Sequence, residues 1–252
     1  MCIRDRILAG PDGVCEGATH MPLGDVSSVS LEGLEVLSVP DDGGRIFVSR
    51  DLRDAQTKVE RWLTSRGARV RTKRLRNTKH ALEIWSAALS TSEGASYAEM
   101  LGNGTEVKGL RELARFFMGD SPYTLPSLIL AIIERFTKDE KQNAAFLELG
   151  RALREELANE VGPEGIFLYP SHAMAAPKHG FPMLLPVMWA YTAVWNAVQV
   201  PSTQVPLGLD ARGIPLGIQV GALHGQDHRT MAVAIALEGA FGGWVRPTQR
   251  RV

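Results

Sequence analysis

Residues 34–75 read LEVLSVPDDGGRIFVSRDLRDAQTKVERWLTSRGARVRTKRL, and this stretch decides the fold. Leu34–Val39 is a short β-prone run of the kind buried on both faces, and residues 45–48 form a second. Ser49 or Asp51 can cap a helix that continues to about Ser65, with Gly67 placed to stop it. Ala68–Leu75 then alternates basic and apolar residues as an edge strand would. Strand, helix, strand in that order predicts a parallel βαβ unit.

Working outward, residues 10–33 are rich in Gly, Pro, Ser and Asp and read as a connecting loop. The middle of the chain is helical. Thr78–Leu101 and Lys108–Met118 are candidate helices, and Thr124 can cap a third with Pro126 in its first turn. Leu125, Leu128, Ile129, Ile132, Ile133 and Phe136 follow helical spacing and form an apolar stripe. Few basic residues accompany it, so core or a homodimer contact is expected rather than a lipid surface. Phe146, Leu149, Leu153 and Leu157 give the next helix a narrower stripe. Strands return at Gly165–Tyr169, Pro201–Val205 and Ile214–Val220, with Gly208–Gly213 as the hairpin loop between the last two. Asp227 is placed to cap a closing helix whose Met231, Val233, Ile235, Leu237 and Phe241 predict burial on more than one side. The expected class is α/β, with a mostly helical insertion between two strand-bearing ends.

Composition narrows the functional classes. With 28 basic and 28 acidic side chains the chain has no net charge, which removes the basic footprint of a nucleic-acid binder. Arg69 through Lys79 is a local basic cluster, but it lacks interleaved aromatic residues and reads as a solvated strand edge. Two cysteines, Cys2 and Cys15, make neither a disulfide framework nor a zinc spacing, and a cytoplasmic protein is expected. No apolar run reaches the roughly 18 residues of a membrane span; Phe181–Trp195 is too short and is interrupted by Pro182 and Pro186. Met1–Arg6 precedes the globular pattern abruptly, with no apolar stretch suited to a secretory signal. Residues 1–6 are therefore read as a foreign leader, and the chain is expected to be truncated.

Candidate chemistry is sparse. No Gly-x-Ser-x-Gly elbow occurs. Ser171 and His172 follow a strand, where α/β proteins place functional loops, but adjacent residues rarely make a nucleophile–base pair. They suit a pocket lining or the fixing of their own loop better. His224 and His228 lack a shared helical face, and His172 and His179 lack a third ligand, so no metal or other cofactor is expected. Asp41-Asp42-Gly43-Gly44 is too acidic for phosphate and reads as a turn.

Three stretches nevertheless act together. They are Gly165–His172 followed by Ala176–His179; Gln204–Leu209 followed by Gly213–Val220; and Asp227 through Leu237-Glu238 to Phe241–Val245. Ser121–Ser127 accompanies them. Jointly they resemble the C-terminal half of the amidase-signature family, in particular its fatty-acid amide hydrolases, over about residues 7–248. The resemblance implies that 7–252 is the C-terminal part of a single amidase domain, a mixed sheet flanked by helices and incomplete at one side.

In that family a serine, activated by a cis-serine and a lysine, attacks the carboxamide carbon from a Gly-Gly-Ser-Ser-Gly-Gly loop. Neither that loop nor an upstream lysine motif is present, and Ser27-Ser28 has no glycine cradle. The resemblance thus implies a parent amidase that cleaves small hydrophobic amides, represented here by its substrate-facing half. Trp189, Tyr191, Thr192, Val194 and Trp195 would line an acyl channel, with Ser171 and His172 beside it. Gln199 departs from the family, which has glycine at that point of its Asn-x-x-Gly-x-Pro pattern. The alternative from another class is a non-catalytic acyl-binding or regulatory protein derived from an amidase. A third reading, the amidase component of a tRNA-dependent amidotransferase, fits Tyr169–His172 and Phe241–Val245 less well.

Overall fold

The structure is a computed structural model and describes residues 10–11, 20–44, 46–90, 96–136, 140–181, 188 and 190–246. In chain order the strands are β1 (Glu35–Ser38), β2 (Arg69–Thr72), β3 (Ile166–Tyr169), β4 (Ser202–Leu209) and β5 (Pro215–Ala222). The helices are α1 (Arg50–Ser65), α2 (Ala81–Ser90), α3 (Tyr97–Leu101), α4 (Gly109–Phe117), α5 (Leu125–Phe136), α6 (Glu140–Val161), α7 (Ala190–Ala197) and α8 (Asp227–Phe241). The strands form one mixed sheet in the order β2-β1-β3-β5-β4. β2, β1 and β3 run parallel, whereas β5 is antiparallel to both β3 and β4.

Each face of this sheet is covered, which explains why β1 and β3 read as continuous apolar runs. On one face Val36, Ile166, Leu168, Ile218 and Val220 pack with Val59 and Leu63 of α1 and Val233 and Leu237 of α8. On the other, Leu37, Phe167 and Tyr169 pack with Ile84 of α2, Leu153 and Leu157 of α6, and Tyr191, Val194 and Trp195 of α7. The sheet is therefore the middle layer of three. α1 buries Leu52, Ala55, Gln56, Val59 and Leu63 at helical spacing. Gly67 (φ 86°) turns left-handed just beyond it, and Ala68 N–H closes on Leu63 O at 3.1 Å. That turn aims the chain directly into β2.

The basic cluster on β2 is matched within the fold. Glu160 accepts from Lys73 at 2.6 Å and also from Arg71, and these two partners hold its carboxyl below the usual glutamate range. Arg69 meets Glu35 at 2.9 Å and Arg74 meets Asp41 at 2.7 Å.

Several expectations change on folding. Thr78–Leu101 is not one helix. A short 3-10 turn at Thr78–His80 precedes α2, and Ser96 starts α3 with a capping box to Glu99. The hydroxyl that satisfies the first-turn N–H competes with continuation of a helix through the same residue. Ile46–Val48 is irregular rather than a strand. Ser49 stands at the N-cap of α1 but its side chain makes no capping bond, and Asp227 is the first residue of α8, preceded by Gln226. Ile235 is 57% exposed, because a helix lying on one face of a sheet buries only one stripe. In the α5 stripe Leu128 is fully buried, while Leu125, Ile129 and Ile132 are half-buried. No helix among the described residues is long and apolar enough to cross a membrane.

Candidate functional site

The parallel strands β1 and β3 lie side by side, so the loops leaving their C-terminal ends meet, the usual location of a ligand crevice in a parallel sheet. After β1 comes the acidic turn. Asp41 accepts from Gly43 N–H at 2.9 Å. Asp42, 4% exposed, accepts from Gly44 N–H and Ile46 N–H, both at 3.1 Å. The two carboxylates thus fold their own loop, and the turn reading holds. After β3 comes Pro170–Met174. Ser49 N–H donates to Ala173 O at 2.7 Å and ties the two loops together.

Under these loops sits an aromatic block. Tyr169 stacks on Tyr191 with ring centres 5.2 Å apart and meets the Trp195 edge at 4.8 Å. Phe167 lies 4.6 Å from Trp195 on its other side. Phe167 reaches this position because its cross-strand partner is Gly221, where a Cβ would fall 2.0 Å from the ring. Tyr191 O–H donates to Ile46 O at 2.7 Å and accepts from Asp42 N–H at 3.3 Å, joining α7 to the acidic turn. Among the described residues, three buried polar atoms in this layer have no hydrogen-bond partner: Tyr169 Oη, Trp195 Nε1 and Gln219 Nε2. Gln219 is opposite Tyr169 across the β3–β5 pair, and its Oε1 accepts from Ser202 O–H at 3.1 Å.

Burial pushes the Tyr169 phenol well above the ordinary tyrosine range, with Tyr191 and the Asp41–Asp42 turn adding to it. Tyr191 is raised too, first by burial and then by Asp42. A phenol whose folded pKa exceeds its unfolded value of about 10 contributes stability below that pH and loses it as pH rises further. Absorbance at 295 nm during alkaline titration is therefore expected to show Tyr169 and Tyr191 ionising only as the fold opens. Tyr191→Phe is expected to remove one of the late-titrating groups; smooth ionisation of every tyrosine near pH 10 in the folded protein would contradict this burial.

The residues expected to line a channel divide into groups. Tyr191, Val194 and Trp195 come together on the buried side of α7, whereas Thr192 lies on its exposed side. Ser171 and His172 are half-buried in the loop after β3. No hydrogen bond joins them; His172 Nδ1 lies 2.9 Å from Met174 O, so the imidazole is folded back on its own loop. Trp189 lies outside the described residues. The sequence reading passed over Tyr169, Asp42 and Gln219. A lone amide inside the apolar run Ile214–Val220 was the one available signal for Gln219, while Asp42 is indistinguishable in sequence from any turn aspartate.

Chemically, the layer is a closed aromatic block with a few hydrogen-bond donors, its rings at most 1% exposed, so it belongs to the packed core. A groove of about 350 Å³ lies elsewhere: Lys73, Arg76, Asn77, Glu155, Glu156 and Glu160 line it between β2 and α6. Its charges oppose one another, which suits solvent better than an anion.

The chain is similar to known proteins across this whole arrangement. Human fatty-acid amide hydrolase 2 is 39% identical over 255 residues, an alignment that covers 96% of this chain and 46% of that protein. The chain thus spans about half the length of the curated relatives it matches. Among solved structures, 6-aminohexanoate cyclic dimer hydrolase complexed with substrate superposes with a TM-score of 0.68 at 18% identity, covering 92% of this chain and 52% of that one. A bacterial aryl acylamidase superposes with a TM-score of 0.65 at 20% identity, covering 93% of this chain and 49% of that one. At such identity these two speak for the fold alone. The family model described as Amidase matches residues 27–231, and the chain belongs to that family.

Proposed function

We propose that the chain is the acyl-facing part of an amidase that hydrolyses the C–N bond of hydrophobic, fatty-acyl carboxamides. The observation that carries this reading is the 39% identity to human fatty-acid amide hydrolase 2 along nearly the whole chain. The aromatic layer of Tyr169, Tyr191 and Trp195 is consistent with it as the packed support beneath the loops that follow β1 and β3. A serine of the parent adds to the carboxamide carbon, the amine leaves with a proton, and water then cleaves the acyl ester to free acid and serine. The serine, its activating partners and the oxyanion donors belong to the part of the family's length that this chain does not span. What this chain contributes is orientation of the acyl group and exclusion of water from it.

The test is a chimera in which the matched half of human fatty-acid amide hydrolase 2 is replaced by residues 27–246 of this chain. It is expected to hydrolyse a long-chain primary amide with kcat/KM at least about tenfold above that for a two-carbon amide, since each methylene accommodated in an apolar channel adds discrimination. An active chimera that treats the two amides alike, or favours the short one, refutes the fatty-acyl assignment.

A further inference from the structure

Among the described residues, two other than glycine hold a left-handed backbone: Asn103 (φ 53°) and Gln199 (φ 56°). Asparagine visits that region readily. Glutamine does not, and a Cβ there is disfavoured by about tenfold in population. Gln199 also stands where the family pattern has glycine. The turn it occupies explains the demand for a left-handed residue. Gln199 N–H donates to Asn196 O and Val200 N–H to Trp195 O, both at 3.2 Å, and these two bonds close α7 in a Schellman turn with Gln199 as its left-handed member. Val198 is buried and Val200 half-buried against the same core as Trp195, so both flanks of the turn are anchored.

Glycine would make this turn at no steric cost. What glutamine adds is reach. Gln199 Oε1 accepts from Arg154 Nη2 at 3.0 Å, a bond to α6 across 45 residues of sequence. Asparagine, the usual alternative to glycine in such a turn, carries its amide one methylene closer to the backbone. Leu153 and Leu157 fix α6 in the core on either side of Arg154, which gives the guanidinium a rigid base. α7 is thereby held at both ends. Its eight residues, Ala190–Ala197, span about 12 Å. In the first turn Tyr191 O–H donates to Ile46 O and accepts from Asp42 N–H; just past the last turn Gln199 takes the bond from Arg154. The helix is a strut between α6 and the acidic turn after β1, which borders the crevice at the ends of β1 and β3.

We propose that Gln199 is a positioning residue for the acyl group: clasped by Arg154, it fixes α7 along its axis and through Tyr191 holds the loop that borders the crevice. Gln199 itself is exposed and directed to α6, so it acts through α7 rather than by touching substrate. This deepens the reading of the chain as the acyl-facing part of an amidase, and rests on it.

Two measurements test the clasp. On the 252-residue chain, Arg154→Ala and Gln199→Gly are each expected to speed NMR-detected amide exchange at Asp42 about threefold or more, because the strut loses its far anchor. Gln199→Gly keeps the turn and relieves its strain, so its melting temperature is expected to hold or rise. In the chimera with human fatty-acid amide hydrolase 2, both variants are expected to raise KM for a long-chain primary amide about fivefold, with kcat, and the kinetics of a two-carbon amide, within about twofold of the parent. The double variant is expected to match the single ones, since all remove one bond. Gln199→Glu, which keeps an acceptor for Arg154, is expected to restore both readouts.

A role confined to shaping the turn would leave Gln199→Gly silent in exchange and in KM. Unchanged exchange at Asp42, or parental KM in both single variants, overturns the proposal. Single effects that add in the double variant overturn it too. Accelerated exchange in the chain, together with a chimera that hydrolyses no amide, supports the clasp and sinks the amidase reading.

Discussion

Purified alone, the 252-residue chain is expected to release neither fatty acid nor ammonia from a long-chain primary amide above the buffer blank. Enzymatic hydrolysis needs an exposed nucleophile, a base within hydrogen-bond reach and donors aimed at the developing oxyanion, which together account for a gain of about 10⁶-fold or more. The serines available to stand in for this machinery, Ser27, Ser28 and Ser171, lie in locally bonded turns and loops. Ser27 O–H donates to Asp25 Oδ1 and Ser28 O–H to Asp25 O, both at 2.7 Å, so the pair builds a 3-10 turn. Ser171 has no bond to His172, whose Nδ1 is directed at Met174 O. Product formed in excess over protein, in repeated turnovers and abolished by Ser171→Ala or Ser27→Ala, would overturn this account. The chimera described above is the positive control, since it separates an inactive half from an inactive family member.

The largest effect on stability is expected at Trp195. Its ring lies between Phe167 and Tyr169 at 4.6 and 4.8 Å and is 1% exposed, so truncation removes contacts on both sides of the block. Trp195→Ala is expected to lower the unfolding free energy by about 3–5 kcal/mol, read as a shift in the urea midpoint. Trp244, 71% exposed, is the internal comparison: Trp244→Ala is expected to stay within about 0.5 kcal/mol of the parent. Equal midpoints for the two variants would show that the aromatic layer is loosely packed. Trp195→Phe tests whether volume or the indole N–H matters. Because Nε1 is buried without a partner, its loss is expected to cost less than the loss of ring volume.

How much of this was legible follows from the range of each interaction. The βαβ start was readable because its determinants are local: two β-prone runs, a helical stripe and a stopping glycine at Gly67. β3, the hairpin and the closing helix were readable for the same reason. The break between α2 and α3 was missed because the Ser96 capping box stands inside a pattern that also satisfies helical spacing. The strand expected at residues 45–48 failed because Ile46 spends its backbone on Asp42 and Tyr191, the latter 145 residues away in sequence. At the site, Tyr191, Val194 and Trp195 could be placed on one helix by sequence. Tyr169, Gln219 and Asp42 gain their meaning from strand pairing and loop closure, which sequence spacing does not encode. Order along the sheet was equally hidden. Nothing local distinguishes β2-β1-β3 from β1-β2-β3.

That order has a kinetic side. β1 is an interior strand of the sheet, yet its second neighbour, β3, is made only after well over a hundred further residues, including the whole helical block. At roughly 5–20 residues per second, the inner edge of β1 waits on the order of ten seconds at the ribosome before Ile166–Tyr169 emerges to cover it. Closing so long a loop is slow for entropic reasons, and until it closes the βαβ start presents an unpaired apolar strand to its surroundings. The yield of folded chain should therefore respond to how fast the segment between β2 and β3 is synthesised.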